Sequence, residues 1–289
     1  MTAMPIRGPV LVAADLSEGA DEALRQAEAL ARSLGEPLHV CHVMPEPIRV
    51  RMLFPQLQLQ DAADLHALEQ RALQTMTMRV GMLTGRRPED YALEISAGSP
   101  HSGILEKAER MRPGILVLGP GGVAERVARH APCPVLVARP SPRGKVLGAT
   151  DFSDPALPAV EATVHEAARR HTAPCLIHSF DWTPTVSAGF PPGVGLPAVP
   201  RDLMEDLRAS ARERLQGSLR QLGAEGECYV GEGHAASAIV RLARELPAQL
   251  VVVGTRGRTG LTRLALGSVA EEVVSMAPCS VLVVRLHES

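Results

Sequence analysis

Three glycines and a serine at fixed spacing are the residues best arranged for chemistry: Gly254, Gly257, Gly267 and Ser268, which read G-x2-G-x9-G-S. Glycines let a backbone turn where other residues clash, and they let a ligand's oxygens approach the N–H groups closely. The apolar run Leu250 to Val253 precedes this loop, and a helical pattern follows Gly267. The first N–H groups of a helix have no intrahelical acceptor and carry the positive end of its dipole. A glycine loop that opens a helix is therefore a phosphate cradle. Arg256, Arg258 and Arg263 place charge beside it, and Ser268 adds a hydroxyl. The plain alternative is an ordinary glycine-rich turn with a serine cap. The loop is neither GxxxxGK[ST] nor GxGxxG.

Asp151 is the second candidate. It follows Thr150, directly after the apolar run Val146 to Ala149. At the carboxyl end of a central strand it would face the crevice where open α/β sheets bind ligands. There it can accept from a ribose hydroxyl or an adenine amine. It can equally close an Asx turn or cap the helix near Pro155. Asp15 has the same two options. His42 and His178 each end a second apolar run and read as sheet-end residues rather than metal ligands or bases. Cys41 and Cys175 stand near them but out of register, which weakens any shared zinc site. Cys133 and Cys279 read as small buried hydrophobes. No GxSxG elbow or HExxH helix appears, and no pair of carboxylates stands out as acid and base.

These residues sit in a duplicated chain. Gly121 to Arg139 and Gly267 to Arg285 share twelve of nineteen paired positions. Asp15 and Asp151 lie 136 residues apart, as do His42 and His178. The offset is 135 for Gly98 and Gly233 and for Gly119 and Gly254, then 146 for Gly121 and Gly267 and for Cys133 and Cys279. The single jump means that the first copy lacks eleven residues of the glycine loop. The second half retains a phosphate cradle and the first does not.

Short apolar runs alternate with helical patterns in both copies. The strand candidates are Val10 to Ala14, Leu38 to Val43, Tyr91 to Ser96 and Ile115 to Leu118, then Val146 to Ala149, Cys175 to Phe180, Glu227 to Val230 and Leu250 to Val253. The last strand of each copy lies in the repeated segment. Helices are predicted at Ala20 to Leu34, about Ala62 to Leu83, Ile104 to Arg112, Ala156 to His171, about Leu203 to Leu222 and Ala238 to Leu246. Strands alternating with helices of this length form parallel β-α-β units with right-handed crossovers. A Pro/Gly linker, Pro140 to Gly144, sets domains at 1–140 and 144–289. Two long connections, Pro45 to Gln58 and Pro184 to Pro200, read as lids or linkers.

Composition excludes several classes. The 289 residues carry 45% hydrophobic and 21% charged side chains, as soluble domains do, but only 2% aromatics, so the core must be aliphatic. A net charge of −2, no long basic run and few stacking rings argue against nucleic acid as a partner. No apolar run reaches the ~18 residues of a membrane helix. Five cysteines without CxxC, and no signal-peptide layout, predict a cytoplasmic protein.

Taken together, the loop, the opening Thr150-Asp151-Phe152-Ser153, the Leu-Ile-His end of the second strand, Gly233-His234-Ala235 and the closing Ala-Pro-Cys-x-Val-Leu-Val-Val resemble the universal stress protein family in its tandem form. The resemblance covers nearly the whole chain, twice. It implies two doubly wound, five-stranded parallel-sheet domains, Rossmann-like and of the adenine nucleotide alpha hydrolase-like kind. It also implies ATP with Mg²⁺ in the C-terminal domain, held by Ala149, Thr150, Asp151, Ser179, Val253, Gly254, Arg256, Gly257, Arg258, Gly267, Ser268 and Val269. The first copy departs from the pattern, with Ala14 for Thr150 and Gly122 for Ser268. The resemblance further implies that the last strands pair across a pseudo-two-fold axis within the chain, and a homodimer is a further expectation. The expected role is regulatory, in a stress response. A slow ATPase or nucleotidyl-transfer enzyme and a nucleotide-free scaffold are the alternatives.

Overall fold

The computed structural model describes residues 6–44, 62–181, 200–255 and 266–285, without the side chains of 62–66. The long connections Pro45 to Gln58 and most of Pro184 to Pro200 lie outside the described residues, as do Arg256, Gly257, Arg258 and Arg263. The chain divides into two compact units that meet in sequence at Pro140 and Ser141.

The first unit runs β1 (Val10–Ala13), α1 (Glu18–Leu34), β2 (Leu38–Met44), α2 (Ala62–Thr84), β3 (Ala92–Ala97), α3 (Pro100–Met111), β4 (Ile115–Leu118), α4 (Gly122–His130) and β5 (Val135–Val137). Its strand order is β3-β2-β1-β4-β5, parallel throughout. β1 is apolar at every position because a central parallel strand is covered on both faces. α1 begins where Ser17 Oγ accepts from Ala20 N at 3.3 Å, and it ends at Gly35 with φ 68. Between those caps, Ala20, Ala23, Leu24, Ala27, Leu30 and Ala31 are turned to the core.

The second unit repeats the plan: β6 (Val146–Ala149), α5 (Leu157–Arg169), β7 (Pro174–Phe180), α6 (Arg201–Gln221), β8 (Glu227–Glu232), α7 (Ala235–Glu245), β9 (Leu250–Gly254), α8 (Ser268–Met276) and β10 (Ser280–Val284). Its order, β8-β7-β6-β9-β10, is again parallel throughout. Both units are doubly wound α/β domains with aliphatic cores. Among the described residues no helix is long and apolar enough to cross a membrane.

Two helices begin earlier than their apolar periodicity suggests. α3 starts at Pro100 rather than Ile104, because proline suits the first helical position, where an N–H has no partner. α7 starts at Ala235 rather than Ala238; its first turn is built of small residues that carry little periodic signal.

Candidate functional site

In the second unit β6 lies between β7 and β9, with Ala149 beside Ile177 and Gly148 beside Val252. The chain leaves β6 toward β7 on one side and later returns to β9 on the other. The crevice between the carboxyl ends of β6 and β9 is therefore the topological switch point, where such sheets bind ligands. Ala149, Thr150 and Asp151 leave β6 there, Val253 and Gly254 end β9, and Ser179 lies near the end of β7.

The β6 exit is fastened at several points. Thr150 N donates to Ile177 O at 3.0 Å, and Phe152 N donates to Thr150 Oγ1 at 3.1 Å. His178 Nδ1 lies 2.8 Å from Thr150 O, which makes Nδ1 the protonated ring nitrogen. His42 repeats the clasp in the first unit, 2.7 Å from Ala14 O. Both histidines thus hold a β-strand exit in place, as sheet-end residues. Asp151 Oδ1 accepts from Ser153 N at 3.0 Å and from Ser153 Oγ at 2.5 Å, an Asx turn. Asp15 Oδ1 closes the same turn with Ser17 N at 2.9 Å. Ser179 Oγ donates to Gly233 O at 3.0 Å, so its lone pairs, not its proton, are what a ligand would meet.

The glycine loop is anchored at its two described ends. Thr255, buried, donates its N–H to Val284 O at 3.0 Å, and its carbonyl accepts from Gly267 N at 2.9 Å. The loop thereby leaves and returns at one point, beside the start of α8. Gly267 is the N-cap of α8, and Ser268 and Val269 open the helix; no side chain caps its N–H groups. Gly267 has φ −64, so its importance lies in space rather than in a backbone conformation closed to other residues. A Cβ there would stand 3.4 Å from Thr255 O.

Two contributors escaped the sequence reading. Thr255 is one; its place directly after Gly254 was the available signal. Phe152 is the other. It adopts φ 64, rare for a large side chain, and its ring lies 4.3 Å from the His178 ring and 4.2 Å below the Arg214 guanidinium. Nothing in the residue type announces that geometry. Among the described residues no three His, Cys, Asp or Glu side chains gather as a metal cluster would require.

Two duplicated, doubly wound α/β domains, only one of which keeps a glycine loop before its last helix, make up the chain. The universal stress protein family model matches the chain twice, over residues 7–139 and 142–285, and the chain belongs to that family. A universal stress protein of Methanocaldococcus jannaschii is 33% identical over 141 residues, 49% of this chain and 81% of the relative. One from Bacillus subtilis is 28% identical over 148 residues, 49% of this chain and 98% of the relative. A solved universal stress protein from Archaeoglobus fulgidus matches 96% of this chain and 98% of its own at 20% identity and a TM-score of 0.64, a likeness of fold. Another solved structure, of the universal stress protein from Archaeoglobus fulgidus in complex with dAMP, matches 49% of this chain and 98% of its own at 25% identity and a TM-score of 0.36.

Proposed function

We propose that the second domain binds one ATP per chain and that the protein acts as a nucleotide-responsive regulatory module in a stress response. The 2.9 Å tie from Gly267 N to Thr255 O carries this reading, because it fastens both ends of the glycine loop at the switch-point crevice. Adenine and ribose would lie along Ala149, Thr150 and Asp151 and near Ser179, with Val253 and Gly254 as the wall. The phosphates would lie along Gly267 to Val269, against the open N–H groups of Ser268 and Val269; the N–H of Gly267 is given to Thr255 O. Arg256, Gly257 and Arg258 belong to the same reading through their place in the loop.

The residues fit a magnesium nucleotide. Mg²⁺ commonly takes most of its ligands from phosphate and water and only one or two from protein. Ser268 offers such an oxygen, and a dedicated cluster of protein ligands is unnecessary. The bound ion would supply charge neutralisation at the phosphates.

The first domain has eleven fewer loop residues, Ala14 in place of Thr150 and Gly122 in place of Ser268. It should not hold a triphosphate. Denaturing the purified protein should release adenine nucleotide, and titration calorimetry should count one ATP per chain. Two equivalent ATP sites, or none, would overturn the reading.

A further inference from the structure

Phe152 is the strained point of the β6 exit, and the duplication shows what that exit looks like without the strain. Asp15 and Asp151 close the same Asx turn. Yet Leu16, the counterpart of Phe152 at the offset of 136, is not left-handed and stands 47% exposed. Neither the turn nor the fold therefore demands φ 64 at this position. A large side chain keeps such a conformation only where its surroundings over-determine it, and residues of that kind gather at binding sites. Here the Phe152 N–H donates to Thr150 Oγ1 at 3.1 Å, a bond that Ala14 could not offer in the first copy. The ring packs on Val160, Leu176, Leu215 and Leu219, with His178 at 4.3 Å and the Arg214 guanidinium at 4.2 Å. The next serine is redirected too. Ser17 Oγ caps α1 by accepting from Ala20 N at 3.3 Å, whereas Ser153 Oγ donates to Asp151 Oδ1 at 2.5 Å and makes no cap bond.

Arg214 differs from its own counterpart in the same direction. The buried residues Met76, Val80 and Thr84 of α2 and Ala211, Leu215 and Leu219 of α6 stand 135 apart pair by pair, which makes Arg79 the counterpart of Arg214. Arg79 reaches Asp21 on α1, with Nε at 2.5 Å from Oδ1 and Nη2 at 2.9 Å from Oδ2. In the second copy Leu157 takes the place of Asp21, and the guanidinium lies on the Phe152 ring instead. A cation over a ring face is held by the ring's quadrupole, so this contact replaces the ion pair as a brace. One arginine braces helix to helix. The other braces α6 to the segment that leaves β6.

We propose that Phe152 and Arg214 are positioning residues of the second domain's nucleotide site. The guanidinium clamps the ring, the clamped ring keeps residue 152 left-handed, and that conformation sets Thr150 and Asp151 for the base and ribose. Neither side chain need touch the ligand. The inference rests on the ATP reading of this domain, but the clamp itself is a property of the chain with or without nucleotide.

ATP calorimetry and amide NMR spectra of the full chain test this. Phe152→Leu installs the first copy's residue and should weaken ATP at least tenfold, while Phe152→Tyr keeps the ring and should bind as wild type does. Arg214 is exposed, so its variants should fold even if Phe152→Leu does not. Arg214→Met keeps an apolar stem on the ring and removes the charge; it should weaken ATP about threefold to fivefold, and Arg214→Lys should restore most of that. The double variant Phe152→Leu with Arg214→Met should bind no worse than Phe152→Leu alone, because the arginine acts through the ring. Arg79→Met breaks the equivalent brace of the first copy and should lower the melting temperature without changing ATP affinity. Unchanged affinity in Phe152→Leu or Arg214→Met, additive losses in the double variant, or an Arg79→Met loss equal to that of Arg214→Met would each overturn the proposal. Arg214→Met should also move the Thr150 and Asp151 amide resonances of the nucleotide-free protein, and unmoved resonances would overturn it as well. If wild-type protein bound no ATP while those resonances moved, the ATP reading would fall and the clamp would stand.

Discussion

A valine at position 267 meets no backbone strain, because Gly267 already has φ −64. Its Cβ would sit 3.4 Å from Thr255 O, an ordinary contact, so the domain should fold. The side chain would instead occupy the space through which phosphate oxygens reach the α8 N–H groups. Gly267→Val should therefore cost at least tenfold in ATP affinity, about 1.4 kcal/mol, with an unchanged melting temperature. Unchanged affinity would place the phosphates elsewhere. Asp151 poses the sharper question, since its Asx turn explains its presence without any ligand. Asp151→Asn preserves the Oδ1 acceptor that Ser153 uses and replaces the other carboxylate oxygen by an uncharged amide. A tenfold loss of ATP affinity in that variant, read by calorimetry, would mark the carboxylate as a ligand contact. No loss would leave it a turn residue.

At the scale of elements, the two copies solve one packing problem in opposite ways. In the second unit Gly148 on β6 faces Thr163 on α5 so closely that a Cβ would lie 2.1 Å from Thr163 Oγ1. The register-equivalent pair in the first unit is Val12 and Ala27, both fully buried. Bulk has moved from strand to helix. Gly148→Val alone should overpack the core and cost about 3 kcal/mol. Adding Thr163→Ala should recover most of that loss, because the Thr163 hydroxyl donates only to Ala159 O of its own helix. Urea unfolding of the two variants measures the difference; no recovery would show that the copies pack differently. α5 also carries Glu166, buried, with Arg169 Nε at 3.0 Å and Arg170 Nε at 3.1 Å. Burial pushes its pKa up, but the two guanidiniums outweigh burial and hold it below the usual carboxylate range. A depressed folded pKa stabilises the protein above the unfolded value, about 4.3, and that stability is lost as pH falls through the folded value. Glu166→Gln should thus destabilise the protein near pH 7 by about 3 kcal/mol, with the difference from wild type closing only in acid. A constant difference from pH 7 to pH 3 would contradict this.

The same scale shows what the sequence made legible. Apolar runs placed the central strands β1, β4, β6 and β9, since a parallel strand covered on both faces carries no polar side chain; the edge strands β3 and β8, with Glu94, Glu227 and Glu232, were legible only as parts of the alternating, duplicated pattern. The offset also exposed the missing loop. The first turns of α3 and α7 were hidden because they open on proline or are built of alanine and serine, not packed by periodic leucines. At the switch-point crevice, the places of Thr150 and Asp151 after β6 and of Gly267 before α8 were legible from the apolar runs and the glycine spacing. The left-handed Phe152 could not, because its conformation is held by His178 and Arg214, residues far apart in sequence. The double use of His42 and His178 as clasps was latent in their shared offset. Hydrogen bonds to a backbone carbonyl, however, leave no mark in a residue pattern.

For the molecule as a whole, the last strands pose the remaining problem. β5 and β10 each end the five-strand order of their own unit. Both are apolar, VLV and SVLVV, and neither carries the lysine, proline or inward charge by which exposed edges are blunted. An unpaired edge of that kind invites association with another strand. The duplication supplies a partner of the same sequence type in the same chain, and the linker around Pro140 to Gly144 holds it at high effective concentration. Two equivalent edges related by a two-fold axis must pair antiparallel. We therefore expect the two last strands to pair within one chain, so that the tandem imitates a dimer of single domains with unlike sites. A fragment of residues 144–289 would lose that partner and should self-associate through β10. Sedimentation should find it dimeric at concentrations where the full chain does not change. A lysine in the middle of β10, Leu282→Lys, should return the fragment to monomer while circular dichroism shows it folded. A wild-type fragment that stays monomeric throughout would mean that the edge is satisfied some other way, and the pseudo-dimer would be excluded.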